Sequence, residues 1–580
     1  MKGLAGIAVG FWLVTALAAD DRAPAVARAV WSDAGANHLG QPSLDGSYIS
    51  CVDTATGDLA LYLVKAGKLR RLTHKHPKRN QGEFAYFSTI SPDNGHVAYA
   101  WFNDEKFYDL RVVSTGDRSE PRILFRNPEA GFVQPSAWSP DGNHILTLFF
   151  RKDNISQIAL VSAGDGSVRV LKSLSWFYPK RMDLSSDGRF VVYDSLEQPG
   201  SDRRDILVLA TDGASETPLV QHPANDLYPL WSRDGSTVLF LSDRAGTLDV
   251  WAIPVRDGKP AGEARQVVRG LGRILPMGLT SRGDYFFGFR AGRTDIYLAP
   301  QNQEGGEPRP LATRFRGVNS APQWSPDGRR IAFLSVRGSE NFGQEGRLIS
   351  VRTLETGEET DLNTRLSHIE KFQWSPDGQS LLVGGSDRRG RGGLFTVDAR
   401  TGRTAALVLS EAASFRGLEG AWSPDGRQVF YLAGNEIRRR ELDSGVEAAI
   451  YRHDTPLRYP TLSPDGGRLA FAAASGEVLV LPLTGRQPQR VPSPQKGYLA
   501  ALVWAPDGGH LVLTIGEEGA ERVWQVPLAA GNPRRLALPE EIQGTVSFHP
   551  DAKTVAFTAG KPKTEIWVIE DILSAQTAAR

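Results

Sequence analysis

Apolar and polar residues alternate along this chain in short runs, separated by turns rich in Gly, Pro and Asp, from about residue 40 to residue 570. A period of two is the signature of half-buried β-strands. One stretch shows the plan. Ser320-Ala321-Pro322-Gln323-Trp324 reads as a strand, Pro326-Asp327-Gly328 as a turn, and Arg330-Ile331-Ala332-Phe333-Leu334-Ser335 as the next strand. A polar loop leads to a third strand at Arg347-Leu348-Ile349-Ser350-Val351. After a turn at Glu355-Thr356-Gly357-Glu358, Glu359-Thr360-Asp361-Leu362 makes a fourth. No segment after the amino terminus carries the longer period of a helix, which disfavours parallel α/β folds.

This plan repeats. Trp-Ser-Pro-Asp-Gly occurs at Trp138–Gly142, Trp324–Gly328, Trp374–Gly378 and Trp422–Gly426. Looser copies stand at Asp45, Asp93, Asp187, Asp234, Arg282, Asp465, Asp507 and Asp551, making twelve. From Asp45 to Asp551 eleven intervals span 506 residues, a mean period of 46. Four strands at that period are the content of a propeller blade. In the turn, Pro fixes φ, Asp bonds its own backbone and Gly accepts positive φ. The residue before Ser falls where an inner strand is wedged between blades. Trp138, Trp231, Trp324, Trp374, Trp422 and Trp504 therefore read as inter-blade core, and Leu184, Leu279 and Leu462 fill the same slot.

The expected fold is all-β: tandem β-propellers of twelve four-stranded blades. Twelve exceed the usual four to eight of one ring, so six plus six is the simplest division and seven plus five the alternative. The expected domains are a signal peptide at 1–18, a first propeller at 27–313, a second at 314–570 and a polar tail at 571–580. The last repeat lacks its own outer strand. Ala27-Arg28-Ala29-Val30-Trp31 can supply a closing strand, to either ring.

Lys2, the uncharged run from Leu4 to Leu17 and the small residues of Ala16-Leu17-Ala18 read as a cleaved secretory signal. Cys51 is the single cysteine, read as a small buried strand residue. Export without an intramolecular disulfide points to a periplasm, or to secretion. With 67 basic and 66 acidic residues the net charge is +1, which gives no long-range pull toward nucleic acid.

The phrase Trp-Ser-Pro-Asp-Gly-Arg followed by an apolar strand resembles the WD-like propeller repeat of TolB and of the amino-terminal domains of dipeptidyl peptidase IV and prolyl oligopeptidase-type enzymes. Leu241-Ser242-Asp243-Arg244-Ala245-Gly246 and Gly385-Ser386-Asp387-Arg388-Arg389-Gly390 look like that family's Ser-Asp-Arg-x-Gly element between second and third strands. The resemblance implies that Asp249-Val250-Trp251, Asp295-Ile296-Tyr297 and Glu565-Ile566-Trp567 open third strands. It covers about residues 40–570 and implies a propeller fold and a binding role. The chain has no Gly-x-Ser-x-Gly elbow of the peptidases, and no separate mixed domain is expected before the first repeat.

Catalytic candidates are sparse. The recurrent Asp of the turns does one local job many times, whereas catalysis needs an asymmetric set. The ten histidines are scattered, no phosphate-binding loop is present, and no cofactor or metal is expected. The better candidates lie where the chain enters each inner strand, away from the Pro-Asp-Gly turns. In the first half these positions offer Glu83, Tyr86, Phe132, Tyr178, Arg181, Asp226 and Tyr228. Their mixture of aromatics, acids and a base suits a peptide or a sugar at an axial mouth. The counterparts at Arg314–Gly317 and Leu457–Pro460 are poor in acids, which makes the first ring the preferred platform. The expected function is non-catalytic binding of a protein, peptide or glycan of the cell envelope. The alternative is a propeller lyase or hydrolase with an axial site, built from charged groups with or without a metal.

Overall fold

The computed structural model describes residues 27–574 apart from 34–35, 38–39, 76–82, 106, 117–118, 154, 176–177, 197–202, 247, 272–273, 292–293, 302–306, 312, 314–317, 337–346, 388–390, 411–417, 486, 518–519, 540 and 561–562. The expected signal peptide, Arg314–Gly317 and Arg388–Gly390 lie outside the described residues.

Among the described residues the strands form twelve antiparallel sheets, each four-stranded except one that adds the two-residue strand Lys259–Pro260. The chain divides into two compact units: residues 1–291 with 563–580, and residues 292–562. Each unit holds six sheets. The expected all-β tandem architecture is therefore present, as six plus six.

Packing between neighbouring sheets closes each unit on itself. In the first unit, Leu59, Val97 and Tyr99 fill the gap between the first two sheets, and five further apolar clusters fill the other gaps. The sixth joins Met277, Phe286 and Ile566 of the last sheet to Ile49, Cys51 and Tyr62 of the first. The second unit repeats this, ending with Ile296, Leu298 and Ala556 packed on Trp324, Ile331 and Phe333. A ring of sheets that share flanks this way is a propeller. Trp231, Trp324, Trp374, Trp422 and Trp504 are buried in these gaps, and Trp138 is half-buried. Trp138, Trp374 and Trp504 donate their indole N–H to the carbonyls of Thr89, Gln323 and Thr461 on the preceding blade, at 3.1, 3.0 and 2.9 Å.

The units are joined where the repeats exchange strands. The last blade of the first unit takes Ile274–Leu279 and Tyr285–Ala291 from its own repeat. Its third strand is Lys563–Ile569, and its outer strand is Ala27–Asp33, with Ala27 opposite Ile569. Trp31 then stacks on Tyr62 of the first blade at 4.2 Å. In the second unit, Ile542–Phe548 and Thr554–Ala559 receive Asp295–Pro300 and Arg309–Pro310 as third and outer strands. The chain thus crosses between the units at 291/292 and 562/563, whereas the repeat period placed one boundary at 313/314. The amino-terminal strand closes the first ring.

The turn phrase has a fuller chemistry than its Asp and Gly suggest. In nine copies the Ser hydroxyl donates to the Asp carboxylate two residues on, as Ser139 does to Asp141 at 2.5 Å. The same hydroxyl accepts the N–H of His144 while Asp141 accepts that of Asn143. These bonds, led by the one from Ser139, lower the Asp141 carboxyl to about 2. The glycine that follows has positive φ, 72° at Gly142.

Ala552 holds the glycine place of the last copy at φ 56°, a region that costs an L-residue about 1 kcal/mol. Ala552→Gly is expected to stabilise the second unit by about 0.5 kcal/mol, allowing for the looser unfolded chain. A denaturant titration that follows unfolding of that unit checks the sign.

Candidate functional site

All six inner strands of the first unit meet at one cavity of about 50 Å³. Gly40 and Gln41 come from the first blade, Phe87 and Ser88 from the second, and Gln134–Ser136 from the third. Lys180–Met182, Tyr228 and Leu275–Pro276 come from the fourth, fifth and sixth. Contribution from every blade puts the cavity on the ring axis.

Local irregularities aim these side chains. The pairing of Phe84–Ile90 with its neighbour skips Phe87, and that of Ala130–Trp138 skips Ser136. A bulge turns the extra residue out of the regular alternation, here toward the axis. Tyr228 precedes Pro229 in another irregular stretch and has φ 54°, a strained value for a bulky residue.

Arg181 spans from the fourth blade to the sixth. Its Nη1 donates to Pro276 O at 2.9 Å and its Nη2 to Met277 O at 2.7 Å. Its main-chain N–H is held by Asp194 at 2.9 Å. Burial lowers the guanidinium below the ordinary arginine value, opposed by Asp183. Burial likewise raises Asp183, which accepts the Trp231 N–H at 2.9 Å and faces both Arg181 and Arg233.

Aromatic rings flank the cavity. Phe87 lies 4.7 Å from Tyr86 and 5.6 Å from Phe132, and Tyr108 lies 5.1 Å from Phe132. All four are partly exposed. Tyr178 packs edge-on against Phe150 at 6.2 Å, and the Lys180 ammonium stands 5.3 Å over the Tyr178 ring.

The structure thus gathers Tyr86, Phe132, Tyr178, Arg181 and Tyr228 around one axial end. The two acids expected beside them are turned inward. Glu83 is 6% exposed and accepts the Trp101 indole N–H at 2.6 Å, while its carbonyl accepts from Lys75. Asp226 is fully buried and pairs with Arg244 at 2.7 Å. Arg244 in turn lies over the rings of Phe240 and Trp251. Sequence reasoning missed Gln41, Phe87, Ser136 and Lys180. Phe87 and Lys180 each stand next to a candidate, Tyr86 and Arg181, but a bulge leaves no mark in an alternation of this kind.

In the second unit the matching charges engage one another. Lys371 pairs with Glu419 at 2.7 Å and lies 3.9 Å over the Tyr459 ring, and the Tyr459 N–H also donates to Glu419. Glu521 accepts from the Gly544 N–H and from the Tyr498 hydroxyl. Acids are therefore present there, supplied by positions outside Leu457–Pro460. Among the described residues no group of three His, Cys, Asp or Glu side chains could hold a metal ion, and no helix is long and apolar enough to cross a membrane.

Comparison with known proteins gives partial matches. Residues 285–447 match the TolB beta propeller domain family, PD40. The chain is 32% identical over 152 residues to the uncharacterized peptidase YuxL of Bacillus subtilis, covering 26% of this chain and 21% of that protein. It is 27% identical over 260 residues to human Coronin-7, covering 42% and 26%. The chain thus spans about a fifth to a quarter of the length of these relatives. Among solved structures, a putative TolB from Agrobacterium tumefaciens is 19% identical with a TM-score of 0.39, covering 47% of this chain and 99% of that one. The tricorn protease is 13% identical with a TM-score of 0.33, covering 93% and 62%. The class is a tandem six-bladed β-propeller. Over residues 285–447 its repeat matches the TolB beta propeller domain, in line with the resemblance of the Trp-Ser-Pro-Asp-Gly phrase.

Proposed function

We propose that this protein is a non-catalytic propeller of the periplasm or the secreted space that holds a segment of a protein partner at the axial mouth of its first unit. The observation that carries this reading is the cavity lined by all six blades, flanked by the partly exposed rings of Tyr86, Phe87, Tyr108 and Phe132. Aromatic side chains around a concave, partly polar centre are the usual anchors of peptide recognition. A peptide is favoured over a glycan because main-chain groups and apolar side chains together match rings beside polar groups such as Gln41 and Gln134. The signal-like amino terminus supports export.

The test is capture from a periplasmic extract by the immobilised full chain, compared with Tyr86→Ala plus Phe132→Ala. Loss of two such anchors is expected to cut retention at least about 30-fold, equivalent to about 2 kcal/mol. Proteins retained equally by both forms would show that this mouth is not the binding surface.

A further inference from the structure

We infer that the axial cavity of the first unit is a carboxylate pocket, which receives the carboxyl terminus of the bound peptide segment. This deepens the axial-mouth reading above and rests on it. Volume is the first argument. At about 50 Å³ the cavity has room for more than one water-sized group, and the two oxygens of a carboxylate are such groups.

The donors are the second. Ser136 is 5% exposed, and its hydroxyl is enclosed without a hydrogen-bond partner. The Arg181 Nε is likewise enclosed and makes no hydrogen bond. Enclosed donors left unpaired are costly, and a carboxylate is an acceptor that suits both a hydroxyl and a guanidinium N–H. The two Nη atoms of Arg181 are already tied to Pro276 and Met277, so the guanidinium is fixed before any ligand arrives. A pre-ordered donor loses little freedom on binding.

Charge is the third. Lys180 and Arg181 line the cavity, and among the described lining residues there is no Asp or Glu. Asp183 lies behind, facing Arg181 and Arg233 and holding the Trp231 N–H. The acids that sequence position offered to the mouth, Glu83 and Asp226, are bound within their own blades. What remains for a ligand is positive.

The test passes three pools of N-acetylated random hexapeptides over the immobilised full-length protein, with bound peptides read by mass spectrometry. One pool has free carboxyl termini, the second carboxamide termini, and the third carboxamide termini with a fixed internal glutamate. Retention of the free acids is expected to exceed that of the plain carboxamides by about tenfold, the scale of a charge-assisted hydrogen bond. Arg181→Met should abolish that preference. Ser136→Ala should reduce it severalfold without changing the melting temperature, which separates the pocket from any effect of Arg181 on folding.

Equal retention of the glutamate pool and the free acids would uphold the carboxylate pocket and move its source to an acidic side chain. Equal retention of all three pools, still lost in Tyr86→Ala plus Phe132→Ala, would overturn the carboxylate and leave the axial mouth standing. Retention of none would overturn both.

Discussion

Ending the chain after Pro562 is expected to unfold the first unit and spare the second. The truncation removes Lys563–Ile569, the third strand of the blade that closes the first ring, and strips Ala27–Asp33 of the strand it pairs with. Ile566, Val568, Ile569 and Ile572 are each at most 2% exposed. Each such side chain contributes about 1.5–3 kcal/mol by burial, so the loss is about 6–12 kcal/mol. That rivals the whole stability of an ordinary domain, about 5–15 kcal/mol. The second unit keeps all its strands, because its closing blade is built from Asp295–Pro300, Arg309–Pro310, Ile542–Phe548 and Thr554–Ala559. Calorimetry should show one transition lost. Hydrogen exchange should place the loss in residues 27–291. Two unchanged transitions would contradict the strand exchange.

Asp109→Ala is expected to cost about 3 kcal/mol, the low end for breaking a buried ion pair. Asp109 is fully buried and accepts from Arg111 at 2.7 Å, Arg126 at 3.0 Å and Asn103 at 3.0 Å. Alanine removes the carboxylate that pairs with Arg111, itself mostly covered. The same group makes stability depend on pH. Burial alone would raise the Asp109 carboxyl, but the hydrogen bonds from Arg126 and Arg111 hold it below the ordinary carboxylate value. The folded value lies below the unfolded one, so the contribution is complete above about pH 4 and fades as pH falls through the folded value. Urea titrations from pH 7 down to pH 3 should show a shallower acid loss in Asp109→Ala than in the native chain. Parallel curves would show that Asp109 carries no such linkage.

The repeat was legible because the same local problem, a tight turn beside a wedged inner strand, is solved twelve times with nearly the same residues. The strand exchange was not. Asp295-Ile296-Tyr297 and Glu565-Ile566-Trp567 are near copies, so nothing local says which hairpin each strand completes. Only pairing over long sequence distance decides that Glu565 faces Phe289 while Asp295 faces Ala559.

At the site, position in the repeat was enough to bring Tyr86, Phe132, Tyr178, Arg181 and Tyr228 to one axial end. It failed for acids whose partners lie on other strands. Asp226 is taken by Arg244, the arginine of the Ser-Asp-Arg-x-Gly element, and Glu83 by Trp101 one strand away. A charged residue at a mouth faces the ligand only if its own blade offers no partner, and that depends on register.

The central claim, that a polypeptide partner seats on the axial mouth of the first unit, is tested most directly by a photoreactive amino acid in place of Phe132. Irradiation in a periplasmic extract should join position 132 to a peptide segment of a partner protein. The same group at Val446, an exposed position of the second unit, should capture nothing in common with it. Crosslinks from position 446 alone, or the same proteins from both positions, would contradict the account.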